Sequence, residues 1–542
     1  MSSTYHLPIT ASSDDAPARG EIKKPAICTA DEIHYVPVPG TEWKIALWRY
    51  LPPPEAPKRN HPLMLLSGVG TNAIGFDLSP GTSFARHMSS QGFDTWIVEF
   101  RGAGLSMRTV GPKAIDQCND KPVSPDLDSV DKENSMKILS GQQAVMNSAT
   151  VSDTEVIVKN GKKELTTLEE SQLVMKLSAA FLRLGERLSG YLNESQLRAI
   201  SANFFDQISK LLEDARLSER FDEIRTNISG LLETRQNSVI AGQIRELSQR
   251  LVSIIEEGQR TVSPQIVDLQ GRLAATIEDF QKQLDLIVIY DWDFDNYLEE
   301  DVPAAMDYIK HQSKAPDGKL LAIGHSMGGI LLYAMLSKCN FEGNKSGLAA
   351  VVTLASSVDY TSSRSSMKLL LPLADPAQAL NVPVVPLGAL LAAAYPLASR
   401  PPYVLSWLNP QISAQDMMHP ELFEKLVLNN FCTIPAKVIL QLTTAFREGG
   451  LRNRTNNLCY KDHLHKCDVP VLALAADEDL ICPPEAVYET VKLFPDHIFE
   501  YKVFGKPDGP HYAHYDLVGG RMAVEEVYPC IIEFLSNHDK LN

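Results

Sequence analysis

A serine between glycines lies in the segment Leu320–Ile330, which reads LLAIGHSMGGI. The apolar run Leu320–Ile323 predicts a buried strand, and the run Ile330–Leu336 predicts a helix. A serine on such a tight strand-to-helix turn has strained backbone, and glycines two residues before and after it permit the turn. The turn exposes the hydroxyl of Ser326 and leaves the next backbone N–H, that of Met327, free to bind an oxyanion. The segment therefore predicts nucleophilic chemistry, with a glycine-rich turn that only packs its helix closely as the alternative.

Serine alone is a poor nucleophile at neutral pH, so it requires a histidine base that is itself oriented by a carboxylate. Both residue types follow strand patterns near the end of the chain. The run Val469–Ala476 leads into Asp477 and Asp479, and the last strand pattern leads into His511 and His514. The residues alone predict a Ser–His–Asp arrangement in which either aspartate and either histidine could take part.

A second glycine-rich loop follows the continuous apolar run Leu63–Leu66, which is typical of a central strand. This loop begins at Ser67 and reads SGVGTN. A loop in this place can supply a second backbone amide to an oxyanion site, to pair with that of Met327. We predict that Val69 supplies this amide. Gly70 is the alternative residue, and an ordinary strand-to-helix turn is the alternative structure.

The composition is that of an ordinary globular protein, with 44% hydrophobic and 22% charged residues among 542. The formal net charge of -16 disfavours general nucleic-acid binding, because nucleic acids attract basic surfaces. The eight cysteines are scattered without a C-x-x-C pair, which predicts reduced thiols rather than a zinc site or a disulfide framework. No metal or organic cofactor is expected. The first 20 residues lack an apolar core segment, so we expect a cytoplasmic protein, with a plastid as the alternative.

The stretch from Ser67 to Ser106 carries a family resemblance, in the pattern SGVGTN…FDLSPGTSFARHMSSQGFDTWIVEFRGAGLS. It resembles the early β–α–β portion of the α/β-hydrolases, and more narrowly that of their lipase and polyester-synthase-like branches. The segment Tyr290–Ala305 is similar to the one that precedes the nucleophile strand in acid lipases. One departure is visible, because the usual His-Gly of the first loop is Ser67-Gly68 here.

The same resemblance selects among the late candidates. Asp479 matches the acid in the family's P-V-L-x-x-x-G-x-x-D-x-I-x-P-P pattern, and His514 matches the histidine in its terminal H-x-D-[FL] pattern. The resemblance thus implies that His514 is the base and Asp479 is its orienting acid. It also implies that His325 is a packing residue and that Asp516 caps the final helix.

Residues 111–287 form an interruption far longer than an ordinary loop. Over most of this length, apolar residues recur at spacings of three and four, as at Leu217, Phe221 and Ile224, with charges of both signs between them. This pattern predicts an inserted helical bundle or coiled-coil-like hairpin. We expect a rigid appendage or a self-association surface, with docking to a partner or a membrane as the alternative.

Residues 361–445 form a second, strongly apolar excursion without a charged residue from Pro376 to Ser399. Its prolines argue against a transmembrane helix, because each interrupts backbone hydrogen bonding. We expect a lid over a hydrophobic acyl pocket or a surface that contacts a membrane, with a purely structural cap as the alternative.

The chain thus divides into a disordered tail (1–28), three parts of a hydrolase core (29–110, 288–360 and 446–542), a helical insertion (111–287) and a lid or cap (361–445). The expected fold class is α/β, in the form of an α/β-hydrolase: a mostly parallel sheet with helices on both faces, the insertion after the fourth strand, and the lid.

The resemblance implies cleavage of a carboxylic ester, and the apolar cap indicates a hydrophobic or lipid-like substrate. Ser326 attacks the carbonyl, His514 takes its proton, and the amides of Met327 and Val69 bind the oxyanion. Water then releases the acyl-enzyme. The alternatives are transfer of the same acyl group to an alcohol or thiol, and a hydrolase-derived scaffold or binding protein that acts through its helical insertion.

Overall fold

A computed structural model describes residues 27–79, 83–109, 289–368, 371, 384–399 and 405–541. The predicted helical insertion and all but the last two residues of the predicted tail lie outside these ranges, as do parts of the predicted lid.

The centre of the described structure is a nine-stranded sheet, and a separate two-stranded sheet lies in the cap. The strands are β1 (Glu32–Pro37), β2 (Trp43–Tyr50), β3 (Leu63–Leu66), β4 (Thr95–Glu99), β5 (Met107–Arg108), β6 (Leu320–His325), β7 (Leu348–Leu354), β8 (Val384–Pro386), β9 (Thr433–Pro435), β10 (Val471–Ala476) and β11 (Phe499–Phe504). The order across the main sheet is β1-β2-β4-β3-β6-β7-β10-β11, with β5 beside β2. Along this order, neighbouring strands from β4 to β11 are parallel. β2 pairs antiparallel with its three neighbours, β1, β4 and β5. β8 and β9 pair with each other.

Three strands that position the candidate site, β3, β6 and β10, are apolar except for Gly324 and His325 at the end of β6. All residues of β3, β6 and β10 are buried. A parallel strand that is covered on both faces shows a continuous apolar run rather than an alternation, and this explains why the runs predicted these strands correctly.

Helices pack against the sheet and build the cap. Those of seven residues or more are α1 (Phe84–Ser90), α2 (Val302–Ser313), α3 (Met327–Glu342), α4 (Leu387–Ser399), α5 (Pro420–Asn429), α6 (Ala436–Leu442), α7 (Pro484–Val491) and α8 (Tyr528–His538). Shorter helical turns are Ala73–Phe76, Phe294–Asn296, Tyr297–Asp301, Ser406–Leu408, Asn409–Ile412, Thr443–Phe446, Leu464–Lys466, Asp516–Gly519 and Ala523–Glu526. α1 packs on β4, α3 on β3, β6 and β7, α7 on β10 and β11, and α8 on β7. The predicted fold class is confirmed.

A buried ion pair joins the core segments on either side of the predicted insertion. Arg101 donates from its backbone N and its Nε to Asp301, each at 2.9 Å, and both side chains are almost fully buried. The core therefore closes across the long interruption. The described chain includes the short strand β5 after β4, ahead of the predicted start of the insertion at residue 111.

Candidate active site

Ser326 occupies a strained strand-to-helix turn between β6 and α3. Its φ is 54° and its ψ is -120°, a backbone region that residues with a Cβ rarely adopt. A Cβ at Gly324 would lie 2.4 Å from the backbone of Gly328, and one at Gly328 would lie 2.1 Å from Leu66 O. Glycine is thus required at both positions, because the turn packs directly on β3.

Backbone hydrogen bonds fix this turn and leave one amide available. Ser326 N donates to Leu354 O at 2.9 Å, and Ser356 Oγ donates to Ser326 O at 2.9 Å. Met327 is the first residue of α3, so its N–H has no acceptor within the helix. The side chain of Ser326 is partly exposed. An exposed hydroxyl beside a free helical N–H is the arrangement that attack on a carbonyl requires.

The loop after β3 passes directly against the serine. A Cβ at Gly68 would lie 3.3 Å from Ser326 Cβ, which is closer than ordinary contact. Thr71 Oγ1 donates to Gly68 O at 2.9 Å and closes a tight turn. This turn contains Val69 and Gly70, the two candidate donors of the second oxyanion amide.

Asp479 and His514 form a buried hydrogen-bonded pair. Oδ2 of Asp479 accepts from His514 Nδ1 at 2.8 Å, and Oδ1 accepts from the amides of Ile481 and Cys482, each at 2.8 Å. Asp479 is 2% exposed and His514 is 8% exposed. Because Nδ1 donates to the carboxylate, Nε2 of His514 keeps the lone pair that a general base needs.

The other two candidates also pair with each other. His511 Nδ1 donates to Asp477 Oδ2 at 2.6 Å, and Tyr512 N donates to Asp477 Oδ1 at 2.8 Å. The hydrogen bond with Asp477 raises the pKa of His511 above its usual value. The side chain of His511 is 38% exposed, so this second pair is in contact with solvent.

His325 attaches the histidine loop to the serine turn. Its Nε2 lies 2.9 Å from His514 O, and the two imidazole rings have centroids 4.9 Å apart. Burial, together with the neighbouring His514, lowers the pKa of His325 to about 3, so the ring is neutral and Nε2–H donates to the carbonyl. His325 is therefore unsuited to act as a base.

The hydrogen bonds of the described residues join His514 to Asp479 and to His325, but they include none between Ser326 Oγ and His514. Such a bond is commonly long in an unliganded site and shortens when substrate binds.

A family model described as alpha/beta hydrolase fold matches residues 278–516. The matched segment and the observed sheet together show an α/β-hydrolase fold. Comparison with curated proteins finds no match.

Solved structures that resemble this chain include an esterase from Thermogutta terrifontis. Its sequence identity is 12% and its TM-score is 0.38, and the match covers 94% of this chain and 100% of the esterase. A soluble variant of monoglyceride lipase from Saccharomyces cerevisiae has 11% identity and a TM-score of 0.42 over 97% and 100%. Proline iminopeptidase from Mycobacterium smegmatis has 11% identity and a TM-score of 0.36 over 94% and 99%. Identities this low assign no reaction to the chain.

Asp516 does not lie at the start of the final helix, where it was predicted. It accepts hydrogen bonds from Ser413 Oγ at 2.5 Å, Ala414 N at 2.7 Å and Ala513 N at 2.8 Å. Burial raises its pKa to about 6. The final helix, α8, begins only at Tyr528, so the prediction that Asp516 caps it is wrong. Asp516 instead joins the cap to the histidine loop.

The sequence patterns did not predict two contacts of the candidate site. One is the bond from His325 to the carbonyl of His514, and the other is the burial of Asn72 against the cap. Neither has a spacing signal, because each depends on loops that are distant in sequence. Across the described ranges, no cluster of His, Cys, Asp or Glu is arranged to hold a metal ion. No helix within those ranges is long and apolar enough to cross a membrane.

Proposed function

We propose that this α/β-hydrolase cleaves carboxylic esters with a hydrophobic acyl group, using Ser326, His514 and Asp479. One observation carries the proposal: the buried Asp479–His514 pair is fastened through His325 to the strained turn that exposes Ser326. A nucleophile, an oriented base and a backbone amide therefore meet at one edge of the sheet.

The geometry supports a two-step reaction. His514 Nε2 takes the hydroxyl proton as Ser326 Oγ attacks the carbonyl, while the amides of Met327 and Val69 stabilise the oxyanion. His514 then gives the proton to the leaving alcohol, and an acyl-enzyme remains. In the second step His514 deprotonates water, which releases the acid and restores the serine. Asp479, fixed by two amides, holds the Nδ1–H tautomer throughout.

The apolar cap supports a hydrophobic acyl group. α4 has no charged residue, and its Leu390 and Leu397 are 54% and 49% exposed. The start of α4 packs on the part of the cap beside the loop that contains Val69, where a Cβ at Gly388 would lie 2.3 Å from Phe431 O. Phe431 forms a β-bridge with Thr71 of that loop. Apolar surface thus adjoins the proposed chemistry, although a fold alone does not determine a substrate.

A fluorophosphonate probe tests the nucleophile, with Ser326→Ala as the control. We expect rapid labelling of the wild type and none of the variant. A series of p-nitrophenyl esters then tests the substrate, and kcat/KM should rise with acyl length from acetate to octanoate. Labelling that persists in Ser326→Ala, or a preference for acetate, would contradict the proposal. Products formed with added alcohol would reveal acyl transfer instead of hydrolysis.

The remaining predictions concern other parts of the molecule. Three of these stay predictions from the sequence: peripheral membrane contact through the lid or the insertion, self-association through the insertion, and a cytoplasmic or plastid location.

A further inference from the structure

The cap pairs with the loop that carries the candidate oxyanion amides. The residues involved are Asn429–Ile434, here named the cap segment, which runs from the end of α5 into β9. Two backbone hydrogen bonds join it to the loop: Asn72 N donates to Asn430 O at 3.0 Å, and Cys432 N donates to Gly70 O at 2.7 Å. Together they form the antiparallel bridge between Thr71 and Phe431. The cap segment thus acts as a short strand along the loop.

The side chain of Asn72 reinforces this pairing from inside the protein. It is 3% exposed. Its Nδ2 donates to Asn429 O at 2.8 Å, and its Oδ1 accepts from Ile74 N at 3.0 Å. One end of the amide therefore binds the cap, while the other end begins the helical turn Ala73–Phe76.

Side-chain packing restrains the same loop. A Cβ at Gly70 would lie 2.4 Å from Cγ1 of Ile434, and Gly70 has a φ of 59°. Ile434 therefore lies on the backbone of the turn that contains Val69. The turn has no room to shift toward the cap segment unless Ile434 moves with it.

We propose that Asn72 is a positioning residue for the oxyanion site. By binding Asn429 O it holds the loop on the cap segment, so that the cap fixes where the Val69 N–H points. This assignment rests on the proposed function, since it concerns the same reaction. An oxyanion donor acts only at hydrogen-bond distance, and a misplacement of about 1 Å can lower the rate about 100-fold.

Two substitutions separate this role from the helix cap. Asn72→Ser keeps an oxygen that accepts from Ile74 N, because serine is a favoured N-cap residue, but it loses the donor to Asn429 O. Asn72→Asp keeps the shape and the acceptor but places an oxygen against Asn429 O. The matched control is Asn344→Ser, the same substitution at an exposed asparagine in the loop between α3 and β7, where the side chain donates to Glu342.

We expect Asn72→Ser to lower kcat for an ester about 10- to 100-fold while KM changes by less than about threefold, since the oxyanion forms after binding. A trifluoromethyl ketone, which forms an oxyanion on the serine, should lose affinity by the same factor. Asn72→Asp should be at least as impaired, and Asn344→Ser should match the wild type. A kcat for Asn72→Ser equal to that of the wild type, or a loss confined to KM, would overturn the assignment.

Hydrogen–deuterium exchange tests the attachment without any substrate. Peptides that cover residues 67–76 and 429–434 should exchange faster in Asn72→Ser than in the wild type. Their exchange should be unchanged in Asn344→Ser. Equal exchange in Asn72→Ser and the wild type would overturn the attachment. A wild type without Ser326-dependent activity would overturn the proposed function itself, whereas an active wild type with an indifferent Asn72→Ser would overturn only the role of Asn72.

Discussion

Two aspartate–histidine pairs lie on the same two loops, after β10 and β11, and the proposed function assigns catalysis to only one of them. Asp479–His514 and Asp477–His511 contain the same chemical groups, with hydrogen bonds of 2.8 and 2.6 Å. The shorter bond belongs to the exposed pair. Hydrogen-bond length and residue type therefore fail to distinguish a catalytic pair from a structural one.

The surroundings of the two pairs differ in burial and in attachment. The side chain of Asp479 is fully buried, whereas that of Asp477 is 25% exposed. His514 is held by His325 through its backbone carbonyl, and His511 lies in contact with solvent. A fixed charge acts more strongly where water is excluded, so the proposed function assigns transition-state stabilisation to the first pair.

Replacement of the two histidines should give the largest contrast. We expect His514→Gln to lower kcat about 10⁵- to 10⁶-fold, because the serine then has no base. His511→Gln should change kcat less than about threefold, since surface substitutions are usually mild. Rates of ester hydrolysis at saturating substrate give kcat for both variants and for the wild type. Comparable losses in the two variants would mean that the exposed pair participates.

Replacement of the two aspartates should give the next largest contrast. Asp479→Asn offers an amide in place of the carboxylate and favours the wrong tautomer of His514, so kcat should fall about 10⁴-fold. Asp477→Asn keeps an acceptor for the amide of Tyr512 and should leave kcat within about threefold of the wild type. The same hydrolysis assay serves, and circular dichroism verifies folding. A mild effect of Asp479→Asn would remove it from the site.

Substitution of His325 tests whether attachment to the serine turn matters. His325→Phe keeps the aromatic contact but leaves His514 O without its donor, so kcat should fall about tenfold, the effect of one lost hydrogen bond. His325→Gln restores a donor and should recover part of the rate. If His325→Phe retained full activity, the carbonyl contact would be incidental to catalysis.

The sequence predicted the sheet and the grouping of the candidate residues better than their contacts. Apolar runs such as Leu320–Ile323 reveal buried strands because burial on both faces requires them. The contacts of Asp516 and Asn72 with the cap depend on loops that meet only in the folded chain. Local pattern assigned Asp516 to a helix that begins twelve residues later, at Tyr528. The family patterns selected Asp479 and His514, whereas residue type and order left four candidates.

A third imidazole–carboxylate cluster separates burial from catalysis. The fully buried side chain of His61 lies 2.8 Å from Asp539 Oδ1 and 3.1 Å from Asp317 Oδ1, before β3 begins. Ser326 follows the end of β6, and β6 is parallel to β3, so the cluster lies at the opposite edge of the sheet. If burial alone conferred function, His61 would affect the reaction; we expect it to affect only stability.

His61→Phe should lower the free energy of unfolding by about 3 kcal/mol, because it removes the imidazole from the buried carboxylate of Asp539. That carboxylate then keeps only the backbone amides of Asn60 and His61. The hydrogen bond with Asp539 raises the pKa of His61. The stability that protonated His61 contributes is therefore complete below its pKa in the unfolded chain, about 6.5. This stability is lost as pH rises through the higher pKa of His61 in the folded protein. Urea unfolding should show that the free energy of unfolding of the variant falls furthest below that of the wild type near pH 6, and less far below it at pH 9. His311→Phe, at an exposed position, is the control. An unchanged stability, or a loss of kcat in the folded variant, would show that this cluster is not purely structural.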